Sequence, residues 1–385
     1  MKRALLLCFF CLAMIYLSSQ NSVLTLKKAV IKGIERNITL KENEQEIHKY
    51  HSQQSESRTK LLPVIESFVN FQDNVERGVT ITDGSNLSNL LYPITHTDIP
   101  YMQNRGLRFN TNAGIQLAMP LYNQSIFSAM KISDKLLEIS LLGYEKAKED
   151  LTIEICKIYY LGQINAEQIL LIDQNITALT ELSTFTLAFH QNGMALDVDV
   201  KRVEINLENL NMQLERTKVE YNQQINLLKY ILDLPIESNF DLESVNTSEP
   251  TINLESGISS NLYELKMLDA KKEVLLKQKQ AINYGYIPSL ALVGQVSTIN
   301  SVDKFGKYFS GENPSEWHHA FYWGLSLKVP IFDGLSKKYQ SDKIQSDYLK
   351  TQMAREDAEK KLNVQYLNLV QEWKNAKYNV KRQND

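Results

Sequence analysis

The side chains able to do chemistry are present in this sequence but not gathered as chemistry needs them. His48 and His51 stand one helical turn apart, a spacing that suits two ligands of a zinc ion. No cysteine or carboxylate at matching spacing completes the set, so a solvated helix face is the expectation. Asp197-Val198-Asp199 begins like a calcium loop, but the glycine such a loop needs at its sixth position is absent. His318-His319 sits beside Trp317 and Phe321, a grouping that suits an aromatic girdle at a membrane surface better than catalysis. Beyond the first twenty residues there is no Ser/His/Asp set, glycine-rich phosphate loop or CxxC pair. No carboxylate dyad stands out from the charges of the helix faces. No catalytic residue, cofactor site or metal site is expected, and the chain is not read as an enzyme.

Residues 1–20 read as a secretory leader. Lys2 and Arg3 form a positive start, Leu5 to Leu17 an apolar run, and Ser18 and Ser19 small residues near a cut. Cys8 and Cys11 lie too early for lipid attachment and lack small residues before them. Loss of the leader leaves Cys156 as the one cysteine, so no intramolecular disulfide can form. It also takes two positive charges from a formal net charge of −3, giving −5, and nothing suggests nucleic-acid binding. A hydrophobic content of 43% excludes a wholly disordered chain. A mean hydropathy of −0.30 argues against a polytopic helical membrane protein. After the leader no stretch is long and apolar enough to cross a bilayer as a helix, so any membrane crossing must be made by strands.

The prolines show where long helices can run. Segments 24–60, 124–234, 257–282 and 331–385 contain none. From 124 to 190 apolar residues recur at heptad spacing: Leu137, Tyr144, Leu151, Ile158, then, past a polar Asn165, Ile172 and Leu179. After a turn signal at Asn192-Gly193 the spacing resumes with Val200, Leu207, Leu214, Tyr221 and Leu228. This predicts a helical hairpin packed as a coiled coil, its first helix about 100 Å long at 1.5 Å per residue. Such a length suits a rod or a tube wall. Asp199 is expected to cap the return helix, and Gly193 to supply the tight conformation of the turn.

A period of two replaces the heptads elsewhere. Odd positions from Leu107 to Met119 are mostly apolar, while Arg108, Asn110, Asn112 and Gln116 alternate with them. Phe321, Trp323, Leu325, Leu327, Val329 and Ile331 repeat the pattern against Tyr322, Gly324, Ser326 and Lys328. Segments 64–71 and 289–299 alternate more weakly. Such strands are long enough to cross a bilayer with apolar side chains outward and Arg108, Asn110, Asn112, Gln116 and Lys328 lining a wet pore.

The chain also repeats itself. Gly114 to Asn123 matches Gly324 to Asp333 at an offset of 210, and Leu62-Pro63 matches Ile287-Pro288. Each unit reads helix, strand, loop, strand, proline, long helix. The first spans 21–235, a linker covers 236–256, and the second spans 257–385. Four strands cannot close a barrel, so copies must combine; three would give twelve strands.

Together these features resemble the TolC-like outer-membrane efflux protein family. The resemblance rests on the doubled Gly-x-x-x-x-x-Pro-(Leu/Ile)-(Tyr/Phe) junction, the tip from Phe189 to Val200, and the exit Leu227 to Pro235. It implies an α+β membrane duct: a homotrimer whose twelve-stranded β-barrel sits in outer-membrane lipid, continued by a periplasmic α-barrel of coiled-coil hairpins. It further implies that the helical tips dock a periplasmic adaptor fed by an inner-membrane transporter, and that export is passive. Asn192, Gly193, Met194, Leu196 and Asp199 are the expected docking residues. By the repeat offset Asp385 corresponds to Asn175, so the second hairpin is expected to be truncated before its tip, and no gate residue carries over. A secreted coiled-coil scaffold is the competing reading; it would gain nothing from strand faces of lipid-crossing length.

Overall fold

The computed structural model describes residues 22–82, 101–104, 106–244, 261–309 and 317–384. The leader, with Cys8 and Cys11, lies outside the described residues. Two compact units are formed. One combines residues up to Tyr50 with Leu137–Lys271 and the chain from Gln352; the other combines His51–Leu136 with Lys272–Thr351.

The first unit is built on helices. A short strand β1 (Ser22–Leu24) leads into α1 (Leu26–Arg36) and α2 (Ile38–Thr59). The proline-free stretch 24–60, expected as one helix, is thus two. Asn37 divides them: its amide oxygen accepts the Thr39 and Leu40 N–H groups at 2.9 and 3.3 Å, and its amide nitrogen donates to the Ile231 carbonyl at 3.0 Å. A side chain that satisfies the free N–H groups of a new helix competes with continuation of the old one. His48 and His51 lie on α2, both exposed.

Further on comes the long hairpin. Helix α3 (Gln124–Gln191) has 68 residues and α4 (Asp197–Ile231) returns with 35. Leu151, Ile158 and Ile172 on α3 and Val200 and Leu228 on α4 are buried, at the heptad positions read from the sequence. The apparent miss in the pattern is a built feature. Asn165 is buried and donates from its amide nitrogen to Gln224 Oε1 of α4 at 2.8 Å, so the polar pair satisfies itself inside the seam. A polar residue at such a position sets helix register at some cost in stability.

The seam widens into the main core, where Leu24, Ala29, Leu40, Ile155, Tyr159, Ile225, Leu232 and Phe240 pack together. Full burial of the Leu, Ile and Phe side chains among them contributes about 1.5–3 kcal/mol each. Phe240 belongs to β6 (Phe240–Leu242), which pairs in parallel with β1. A strand therefore stands inside the span 236–256 expected as linker. Tyr159 joins the two strands: its hydroxyl donates to the Leu24 carbonyl at 2.7 Å and accepts the Glu243 N–H at 3.3 Å. Burial pushes the Tyr159 hydroxyl up from the usual tyrosine range.

In the second unit, β2 (Val64–Asp73), β5 (Phe109–Tyr122), β7 (Ser289–Val302) and β8 (His318–Lys328) make one antiparallel sheet, in the order β2-β5-β7-β8. Pro63 and Pro288 stand immediately before β2 and β7, as the repeat predicts. A separate ribbon pairs β3 (Val79–Thr82) with β4 (Tyr101–Asn104), inside the span expected as loop. Two ends differ from expectation. Leu107 and Arg108 precede β5, and Val329 to Ile331 lie beyond β8, whose last strand residue is Lys328. Pro330 has no N–H to extend a ladder. Gly114 lets β5 and β7 approach closely: a Cβ there would run into the Val296 carbonyl and the Ser297 Cα. The two repeats leave the sheet differently. Asn123 accepts the Ser125 N–H at 3.0 Å directly before α3. Asp333 is followed by Gly334 and Leu335, both at φ 66°, before α6 (Ser336–Asn384) begins. The remaining helix, α5 (Tyr263–Tyr284), precedes β7.

Candidate functional site

The sheet carries the first candidate surface, and its register defines it. Ile65, Leu117, Gly294 and Trp323 fall in one row across the four strands; Ser67, Ile115, Val296 and Phe321 fall in the next row on that face. These apolar side chains are open to the surroundings, Phe321 at 70% and Trp323 at 72% exposure. An apolar face this wide is uncommon on a water-soluble sheet and marks an interaction surface. The row between these two points the other way and is polar. Glu66, Gln116, Gln295 and Tyr322 form it; Gln116 donates to Glu66 at 2.8 Å, and Tyr322 to Gln295 at 3.1 Å. Asn110, Asn112, Gln116 and Lys328 share this polar face by register. Arg108 stands just outside β5, its guanidinium bonded to Asp73 at 2.8 Å and lying 4.9 Å from the Phe109 ring centre.

At the end of the sheet away from Pro63 and Pro288, aromatic residues gather over the apolar face. Phe71, Phe109, Phe305 and Tyr308 meet with ring centres 5.7–6.5 Å apart, and Phe309 joins them through Phe305. Phe305 and Tyr308 come from the 3-10 turn Phe305–Tyr308, and Thr111 donates to the Tyr308 hydroxyl at 2.9 Å. Sequence reading placed the girdle at Trp317 and Phe321 and missed this cluster. Its one signal was three aromatics within five residues after a strand. His318 and His319 separate: His319 opposite Thr298 on the apolar face, His318 opposite Ile299 on the polar one.

The helical hairpin carries the second surface. Two positions from the buried heptads runs another apolar series: Val198, Ile205, Met212 and Val219 on α4, every one exposed. On α3, Ile153 and Tyr160, two positions past Leu151 and Ile158, do the same. Two residues turn a helix by about 200°, so each helix is apolar on nearly opposite sides. One side closes the hairpin and the other has no partner among the described residues. This second stripe was also overlooked, although its period of seven was visible.

The tip is tightly built. Gly193 adopts φ 71°, and Met194 donates its N–H to the Phe189 carbonyl at 2.8 Å. His190 Nδ1 lies 3.0 Å from the Ala195 carbonyl, and the Asn192 amide donates to the Ala188 carbonyl at 2.8 Å. Asp199 is not the cap residue. Leu196 holds that place, and Asp199, three positions on, reaches back to accept the Leu196 N–H at 3.3 Å. The reason is that Asp197 already has helical conformation and pairs with Lys201 at 2.7 Å; that hydrogen bond holds its carboxyl below the usual range. Met194 and Leu196 are left 71% and 72% exposed.

With this geometry in place, the class of fold is defined: a coiled-coil helical hairpin together with a four-stranded antiparallel sheet that has one apolar face. No protein-family model and no curated protein matches the sequence. Solved structures do match. The chain is similar to the transmembrane channel CusC, with a TM-score of 0.69, 12% identity, and 93% of this chain covered against 78% of that one. It is similar to the outer-membrane protein VceC of Vibrio cholerae, with a TM-score of 0.66, 10% identity, and coverage of 93% and 81%. The open-state MtrE outer-membrane channel of Neisseria gonorrhoeae matches with a TM-score of 0.61, 17% identity, and coverage of 87% and 70%. The chain therefore has the TolC-like channel fold, a helical part joined to antiparallel strands.

Proposed function

We propose that this chain is the outer-membrane channel subunit of a tripartite efflux or type I secretion system. Three copies close a twelve-stranded barrel in the outer membrane, and their helical hairpins form an α-barrel in the periplasm. The observation that carries this reading is the exposed apolar face of a sheet whose two outer edges are unpaired among the described residues. Lipid covers such a face, and identical sheets cover such edges. The exposed heptad stripes support it, because a helix in a tube wall needs a neighbour on both sides. Asn110, Asn112, Gln116 and Lys328 then line the lumen, with Arg108 at its rim. Asn192, Gly193, Met194, Leu196 and Asp199 meet the periplasmic adaptor, which links the duct to an inner-membrane transporter. The duct supplies a passive path and no chemistry of its own. Fractionation of native cells tests the reading: the chain should be found with outer membranes as a detergent-stable trimer. Recovery as a soluble periplasmic monomer would overturn it.

A further inference from the structure

We propose that the apolar face of the sheet holds one phosphorylated glycolipid of the outer leaflet, an acyl chain lying in a trough at Gly294 and the headgroup at Ser67, His319, Lys304 and Lys307. This rests on the outer-membrane reading above and names one occupant of that face.

Two grooves run together here. The first, about 510 Å³, lies among Ile65, Leu117, Leu292 and Trp323 with Gly294 at its floor, and is almost wholly apolar. The second, about 430 Å³, lies among Ser67, Val69, Ala113, Thr298 and His319. Ile115 and Val296 line both, so the two are continuous. Each volume falls in the range of ligand sites, roughly 300–1,000 Å³. The trough exists because position 294 carries no side chain between Leu117 and Trp323. Close packing of the backbone does not require that glycine. A Cβ there would come no nearer than 3.7 Å to another atom, whereas one at Gly114 would collide with the neighbouring strand. A glycine that the fold does not need leaves room for something else to fill.

The chemistry changes along the groove in one direction. On β8 the apolar-face positions Leu327, Leu325, Trp323 and Phe321 lead to His319, the first that is polar. Ser67 and His319 are exposed, and neither side chain is hydrogen-bonded among the described residues. Beyond them the turn that carries Phe305 and Tyr308 packs its rings on Phe71 and Phe109. Lys304 precedes that turn and Lys307 lies within it, both exposed and without an ion pair among the described residues. Arg77 and Arg108, by contrast, are paired with Asp303 and Asp73. An apolar trough that ends in a hydroxyl, an imidazole and two ammonium groups matches a lipid with an anionic head rich in hydroxyls. The polar end lies away from Pro63 and Pro288, where the helices leave the sheet. With the helices in the periplasm that end faces the outer leaflet, whose lipid is a phosphorylated glycolipid.

The test is native mass spectrometry of the full-length trimer in mild detergent, with lipid A and phosphatidylglycerol as probes. Wild type should retain one lipid A per chain and bind phosphatidylglycerol about ten-fold more weakly. Gly294→Leu fills the trough, and Lys304→Gln with Lys307→Gln removes the charges. Each variant should keep the trimer and weaken lipid A binding by about ten-fold or more. The lysine variant alters only exposed side chains, so it decides the matter if Gly294→Leu fails to assemble. Lipid A binding unchanged in an assembled variant overturns the proposal, as does equal binding of phosphatidylglycerol. A trimer that holds no lipid A overturns the glycolipid site alone, whereas absence of a trimer from outer membranes overturns the duct reading beneath it.

Discussion

Replacing Leu117 by arginine and comparing it with Gln116→Arg isolates the sheet faces, because adjacent residues of one strand carry the same new charge to opposite sides. Strand β5 has 14 residues, about 35 Å of height at a 40° tilt, and Leu117 lies within about 5 Å of its middle. An arginine facing lipid at that depth costs about 2–4 kcal/mol per chain, so three copies lose about 6–12 kcal/mol of assembly. At position 116 the arginine faces water beside the Glu66 carboxylate, which Gln116 now reaches at 2.8 Å; the change there should stay within about 1 kcal/mol. The assay is urea titration of purified protein in lipid vesicles, with the trimer band and its heat dissociation read on gels. Leu117→Arg should lose most of its trimer at urea concentrations that leave Gln116→Arg and wild type assembled. Equal losses in the two variants would refute the assignment of faces, and with it the crossing of the membrane by this sheet.

Other outcomes follow from the helical unit. Met194→Asp and Leu196→Asp should leave trimer heat stability unchanged while abolishing adaptor crosslinking and export, since each places an unpaired charge in an apolar contact; normal export would reduce the tip to a turn. Leu151→Asp should do the opposite, removing the trimer on gels, because its side chain is buried in the seam. Tyr159→Phe leaves the Leu24 carbonyl and the Glu243 N–H without their shared hydroxyl, and should cost about 1–3 kcal/mol in denaturant melts. The same hydroxyl makes stability depend on alkali. Its folded pKa is raised above the unfolded value of about 10, so stability is full below that pH and falls as pH climbs through the folded pKa. Melts above pH 10 should show a shallower decline in Tyr159→Phe than in wild type, and an identical slope would exclude the tyrosine as a source.

What the sequence disclosed was whatever has a local period. Absence of proline and a spacing of seven delimited α3 to within one residue of Gln191, and a spacing of two assigned Ile65, Leu117 and Phe321 to one face. Features made by distant partners left no such mark. The three-residue strands β1 and β6 lie on either side of the hairpin in sequence, and neither is long enough to show a period. The division at Asn37 depends on the Ile231 carbonyl, far along the chain. At the tip, Asp197 and Asp199 are equally good capping types, and only the Asp197–Lys201 pair decides that the helix begins earlier. Asn165 looked like a fault because its partner, Gln224, was invisible from its own helix.

The pairing of β5 with β7 also carries a cost in loop closure. Strands β2 and β5 lie on the same side of the helical hairpin in sequence, as do β7 and β8 on the other side, so each pair closes a shorter loop than the central seam. The central seam joins Ile115 to Val296, with the entire helical hairpin intervening. A loop of that length is slow to close as random coil, and much faster once the hairpin has already folded back on itself. Loop-closure entropy therefore favours closing the seam after the helices have folded, and a lesion in α3 or α4 should weaken the β5–β7 seam more than the β2–β5 or β7–β8 pairs.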